Sequence, residues 1–353
     1  MTQILMGFKC GNPVSRISPF SSILPHCLNP PLSIKPTPWH PPTHRNNLIG
    51  ISALIVGIFV FSIQDAIIKA ISGEHAVTLA IFIRAIVAFP VLLAMVHFEC
   101  GLKGLITKQW RVLVLRGCIL LCAYTTYFMA FPALPLAEAI ALFFMVPLLV
   151  TIMSGPMLGE KVTALAWAAV AIGLIGVFVI LQPGSALFNP AALLSLISAA
   201  TYALSMILAR KYGGETPSSV MSFYQNMVYL IGASAFAAIA ALLGIKPPGH
   251  PSFDFLFRNW DIPNTHDLLL MGTCGVIAAV GMTLLTHAYR KGQANIVTPF
   301  EYTGMIWAVV FGYAFFGEVP RATTFIGMGL IAAAGVLALT AGSKNIEPAT
   351  VGS

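Results

Sequence analysis

The sequence predicts an all-α membrane protein of ten transmembrane helices, arranged as two inverted five-helix repeats. Three observations carry that prediction. Ten apolar stretches of 19 to 26 residues follow one another. The joints between most of them are only a few residues long. Gly-Glu corners recur at similar places in the two halves of the chain. A bilayer core takes roughly 20 helical residues to cross, and each stretch is that long. Hydrophobic residues make up 58% of the chain and charged ones 9%, where a soluble domain carries about 25% charged. A β-barrel would need alternating segments of about 10 residues, a pattern this sequence does not show.

Positions 1–47 come first, rich in Pro, Ser and His. Proline at that density blocks a helix, and no apolar run there is long enough for a signal peptide, so a disordered tail is expected. The ten spans fall at 48–71, 77–97, 110–131, 135–157, 163–181, 190–209, 218–243, 267–289, 294–316 and 322–341. The first repeat is then 48–181 and the second 190–341, with 342–353 a cytoplasmic tail. The net charge of +7 sits in the joints, not in a patch fit for nucleic acid. Arg45, Lys103, Lys108, Arg111, Lys161, Arg210, Lys211, Arg290, Lys291 and Lys344 share one side. Only Lys246, Arg258 and Arg321, with Lys69 nearby, share the other. The positive-inside rule therefore puts both termini in the cytoplasm and the longest joint, 244–266, outside.

An odd number of spans per half inverts the second copy across the membrane. Leu158-Gly159-Glu160 closes span 4 and Phe316-Gly317-Glu318 closes span 9. Gly-Val pairs follow near the ends of spans 5 and 10, at Gly176-Val177 and Gly335-Val336. Inverted repeats mark secondary transporters, whose substrate site lies near the midplane between repeats. The two halves are not symmetric in their polar content: Pro147 matches Met305, Pro299 matches Ala141, and Glu301 matches Phe143.

No catalytic constellation is present in the sequence, which lacks GxSxG, HExxH and a Walker glycine loop. No enzyme activity, cofactor or metal is expected. The six cysteines form no CxxC pair, and Cys118 and Cys122 read as packing residues on an apolar helix.

The candidate site residues are ionisable and aromatic groups at membrane depth, where an isolated charge costs from about 2.5 kcal/mol upwards. Asp65 can pair with Lys69 one turn away or with Arg84 on span 2, or contact substrate or proton directly. Arg116 either snorkels to the headgroups or finds an interior partner. Glu138 is either a first-turn carboxylate held by the helix dipole or a cavity contact. Glu301 lies too deep to snorkel, and Pro299 beside it frees a backbone carbonyl, so a kinked polar pocket is expected there. A carboxylate in such a pocket suits a substrate ligand or proton acceptor. His287 reads as a packed interfacial histidine. Tyr124, Tyr127, Tyr202, Tyr224, Phe300, Tyr302 and Trp307 could stack a flat ring, and Gln64, Gln225 and Asn226 could read its polar edge. Glu160 and Glu318 are expected to sit at the N-termini of the helices that follow them, with Gly159 and Gly317 closing the preceding helices left-handed.

The chain resembles the EamA family of the drug/metabolite transporter superfamily over about residues 48–341. Carrying the resemblance are Leu115-Arg116-Gly117, the run from Leu134 through Pro135, Leu136, Ala137 and Glu138 to Ala139, Pro147, and the two Gly-Glu corners. Within the family, the run from Ser62 to Lys69 and the run from Pro299 to Thr303 look like a group that includes bacterial riboflavin importers. The resemblance implies alternating access in a bacterial inner membrane, with spans 1, 3, 4, 6, 8 and 9 lining the cavity. It implies riboflavin uptake, with S-adenosylmethionine uptake or export of amino acids and related metabolites as the alternative. The expected partners are a small-molecule substrate and the lipid bilayer, with homodimerisation left open and no nucleic acid.

Overall fold

In a computed structural model, residues 44–159, 162–184, 188–212, 216–291 and 298–343 are described, and every regular element among them is helical. In chain order they are α1 (His44–Ile71), α2 (Val77–Cys100), α3 (Trp110–Ala130), α4 (Leu136–Phe143), α5 (Val146–Leu158), α6 (Ala164–Leu181) and α7 (Ala192–Tyr212). There follow α8 (Ser218–Leu242), α9 (Pro251–Phe257), α10 (Thr265–Lys291), α11 (Thr303–Phe316) and α12 (Ala322–Ser343). Short 3-10 turns lie at Leu102–Leu105 and Thr298–Tyr302. Positions 1–43 of the expected tail lie outside the described residues, as do Glu160 and the side chain of His287, while 44–47 are not tail but the first turn of α1.

Eight of the described helical stretches are long and apolar enough to cross a membrane, and they coincide with the first eight predicted spans. The last, Ala322–Ala338, is a shorter apolar helix. The described part of the ninth predicted span, 298–316, is a 3-10 turn leading into α11, a helix of 14 residues. The fourth is not continuous either. Pro147 has no N–H to give the carbonyl of Phe143 four residues back. Instead Phe144 N donates to Ile140 O at 3.1 Å and Met145 N to Leu142 O at 3.2 Å, a tightened turn that separates α4 from α5.

The glycine corners behave as their sequence suggests. Gly159 (φ 72°) and Gly317 (φ 65°) close α5 and α11 in the left-handed region, which costs a residue without a Cβ little. Thr163 caps α6 by accepting from Ala166 N at 3.2 Å.

Packing interleaves the two halves of the chain. α1 packs on α10 and α11, while α7 packs on α3, α4 and α5. α2 packs on α8 and α10, α3 on α8, and α6 on α12. The α6–α12 crossing brings backbones together: a Cβ on Gly176 would stand 2.9 Å from Gly327 O. Only small residues permit that approach, the usual device for joining helices where lipid gives no hydrophobic drive. Phe128, Phe131, Leu136, Leu142 and Leu148 fill the interior. Leu115, Trp167, Phe178 and Ile231 face outward, as a lipid-solvated surface requires.

The long joint before α10 is more ordered than its length suggests. α9 seats Phe255, fully buried, against the bundle. Trp260 Nε1 donates to Thr78 Oγ1 at 2.8 Å. Arg258 Nη1 donates to the carbonyls of Ser72 and His75, both at 3.0 Å. This segment lies over the joints that follow α1, α3 and α11, and that end of the bundle is here termed the corner face.

Candidate functional site

Asp65 sits half-buried on α1, and the Tyr127 hydroxyl of α3 donates to its Oδ2 at 3.0 Å. Arg84 is buried on α2 with its guanidinium 5.3 Å from the centroid of the Tyr124 ring, a cation–π arrangement. The expected Asp65–Arg84 and Asp65–Lys69 ion pairs do not form, although Arg84 lies within electrostatic reach of the carboxylate.

From this pair an aromatic cluster runs across both halves. Tyr124 meets Tyr229 of α8 at 5.5 Å between ring centroids. Tyr127 meets Phe143 of α4 at 4.7 Å, and Phe143 meets Tyr202 of α7 at 5.4 Å. Gln225 Nε2 donates to the Tyr229 hydroxyl at 3.0 Å. Arg116 turns inward instead of snorkelling, within electrostatic reach of Tyr202, Tyr229 and Tyr124. Glu301 lies within reach of Tyr202 and Tyr302. Tyr302 itself is buried, 5.3 Å from the Phe144 ring and against Gly335. Several buried polar atoms here have no hydrogen-bond partner among the described residues: Nε of Arg84, Nε of Arg116, the Tyr302 hydroxyl, and Oε1 of the buried Gln64 beside Asp65. Buried polar groups are normally satisfied.

Glu138 does not join this cluster. It is buried at the corner face, where its Oε1 accepts from Arg321 Nε and Nη2 at 3.1 and 2.8 Å and from Thr324 Oγ1 at 3.0 Å. Glu318, expected at the start of the helix after it, caps a different helix. Its Oε2 accepts from Leu136 N, the first residue of α4, at 2.8 Å, while its Oε1 pairs with Lys69 Nζ at 2.6 Å. Lys69 completes the knot by donating to the carbonyls of Phe131 and Leu134 at 3.1 and 2.6 Å. Two acids and two bases thus tie α1 and α4 to the α11–α12 joint. The tie lies one helical turn, about 6 Å, beyond Asp65 on α1. It borders a cavity of about 720 Å³ lined by Lys69, Phe131, Leu134, Arg258, Phe316 and Glu318.

The sequence candidates therefore divide. Asp65, Arg84, Arg116, Tyr124 and Glu301 gather around the aromatic cluster, Tyr302 and Gln64 border it, and Glu138 serves the tie. Tyr224 leaves the group, its hydroxyl donating to Leu105 O at 2.8 Å at the other end of the bundle. Trp307 instead stacks on Phe311 and meets Phe59 edge-on. Tyr229 in the cluster, and Arg321 and the Lys69–Glu318 pair in the tie, are members of the candidate site that sequence reasoning did not find.

Comparisons with known proteins bear on this arrangement. The model of the EamA-like transporter family matches twice, over residues 48–182 and 189–340. A riboflavin transporter of Vibrio cholerae is 31% identical over 235 residues, covering 65% of this chain and 71% of that protein. An S-adenosylmethionine uptake transporter of Rickettsia prowazekii is 24% identical over 304 residues, covering 86% and 96% of the two chains. The pseudopaline exporter CntI of Pseudomonas aeruginosa is 25% identical over 287 residues, covering 81% and 94%. A protein crystal structure shares the fold with a TM-score of 0.55 and 18% identity, over 86% of this chain and 99% of that one. The chain belongs to the EamA-like transporter family. It is a membrane transporter, and its substrate is a small molecule.

Proposed function

We propose that this chain is a secondary transporter of the bacterial inner membrane that takes up riboflavin by alternating access. The observation that carries the reading is the aromatic cluster of Tyr124, Tyr127, Tyr202 and Tyr229, drawn from both halves and edged by Arg84, Arg116 and Asp65. Tyrosine faces suit a flat isoalloxazine ring. The orphaned guanidinium nitrogens and the Asp65 carboxylate offer donors and an acceptor for its polar edge and ribityl hydroxyls. The Vibrio relative named as a riboflavin transporter supports this choice.

The ten-span, two-repeat architecture belongs to the same proposal. Exchanging each span for the one five later carries the packing of α1 on α10 into that of α7 on α3, and of α2 on α10 into α8 on α3. The family model's double match fits the same division. The halves rock around the aromatic cluster, with both termini cytoplasmic. The four-charge tie then closes the periplasmic side, and Glu301 accepts the coupling proton.

A second reading is S-adenosylmethionine uptake. The Asp65 and Glu301 carboxylates beside tyrosine faces suit a sulfonium cation, and the Rickettsia relative carries that name. The test is uptake of radiolabelled riboflavin by a riboflavin-auxotrophic bacterium lacking its own importer. Saturable uptake competed by flavins but not by S-adenosylmethionine is the expected result; no uptake despite membrane expression overturns the flavin reading.

A further inference from the structure

The joint between α1 and α2 carries Glu74 and His75, and the first turn of α10 carries Asp267. One donor atom from each lies within 4.8 Å of the other two. His75 Nε2 stands 2.7 Å from Asp267 Oδ2, and both residues are buried, while Glu74 is exposed at the edge. Both backbones are fixed by contacts that leave these donors facing each other. Arg258 grips the carbonyls of Ser72 and His75. Asn264 Oδ1 accepts from Asp267 N at 2.8 Å, and Asn264 Nδ2 donates to Asp267 Oδ2 at 2.9 Å. His266, its side chain 80% exposed, holds Nδ1 3.2 Å from Asp267 Oδ1.

An imidazole nitrogen with carboxylate oxygens is the donor set of zinc-class divalent ions, whereas calcium takes six or more oxygens. Positioning of ligands by surrounding hydrogen bonds is what such a site requires. We infer that Glu74, His75 and Asp267 form a divalent transition-metal site at the rim of the corner-face cavity, with His266 in reach as a fourth ligand. Binding of the ion at Nε2 displaces the His75–Asp267 hydrogen bond, and the neutral ring keeps its one proton on Nδ1. The ion clamps the α1–α2 joint to α10. α1 and α2 belong to the first half and α10, which packs on them, to the second, so the clamp joins the two halves on the corner face. This site is independent of the substrate assigned above.

The experiment uses the full chain, purified in detergent through a tag free of histidine. Zn²⁺ alone is titrated against a chromophoric chelator, and the unfolding temperature is read with and without Zn²⁺. The wild type is expected to bind one ion and to gain thermal stability. His75→Gln and Asp267→Asn should each weaken binding by about tenfold or more and abolish the thermal gain. If either variant fails to fold, Glu74→Gln carries the test: weakened affinity supports the site and unchanged affinity overturns it. No binding by the wild type overturns the inference. Unchanged affinity in folded His75→Gln and Asp267→Asn proteins overturns it too, and would assign the ion to histidines elsewhere, such as His26, His40 or His44.

Discussion

The aromatic cluster and the corner-face tie hold similar charges, two acids and two bases each, yet they treat them in opposite ways. In the tie, Lys69, Glu318, Glu138 and Arg321 meet one another, and three backbone groups and Thr324 take part. In the cluster, Arg84 and Arg116 rest among tyrosine rings with their Nε atoms unpartnered among the described residues, and the hydrogen bond given to Asp65 comes from a phenol. A satisfied network holds helices together; an unsatisfied one leaves donors for something that comes and goes. On the function proposed above, that difference separates gate from binding site.

Four substitutions would break or sharpen that contrast. Arg84→Met removes a desolvated donor from the cluster. Uptake is expected to fall by about 100-fold or more at matched membrane expression, the scale of losing a charged contact away from water. Glu318→Gln weakens the tie by removing the Lys69 partner, and the halves should part more readily on the corner face. A cysteine introduced by Ala133→Cys, at the cavity wall, should then react with an impermeant maleimide about tenfold faster, matching a shift of about 1.4 kcal/mol.

Gly335→Ala would drive a methyl into the Tyr302 hydroxyl. Overpacking of this kind costs about 1–3 kcal/mol, seen as a lowered unfolding temperature in detergent. Smallest is Tyr224→Phe, which loses one hydrogen bond to Leu105 O. Stability should drop by about 1 kcal/mol with uptake unchanged, because that tyrosine lies outside the cluster. Glu301→Gln probes coupling separately: accumulation driven by a pH gradient should vanish while substrate exchange persists.

Eight of the spans were legible because crossing a bilayer is a property of contiguous length. Pro147 carried a signal for the break in span 4 that the sequence reading passed over, while Gly159 and Gly317 announced the two left-handed corners. Partnership was not legible. Lys69 has Asp65 one turn away in sequence, yet it pairs with Glu318 from the other half, a choice made by helix packing. Glu138 likewise finds Arg321 across the interface. Tyr229 had a signal that sequence reading passed over: Ser219, Asn226, Tyr229 and Ala233 recur at helical spacing on α8 and share its buried face. Glu301 stood out as a candidate because a carboxylate beside a proline at membrane depth is conspicuous in one dimension.

The central claim is that substrate stacks on the tyrosines between the halves, and flavin fluorescence tests it most directly. Stacking on tyrosine quenches the isoalloxazine emission, so purified wild-type protein should quench riboflavin saturably. Tyr124→Ala and Tyr229→Ala should each weaken that binding by about 1–3 kcal/mol, roughly 5- to 150-fold, the worth of one base–aromatic stack. No saturable quenching by folded wild-type protein, or equal affinity in both variants, would contradict the account.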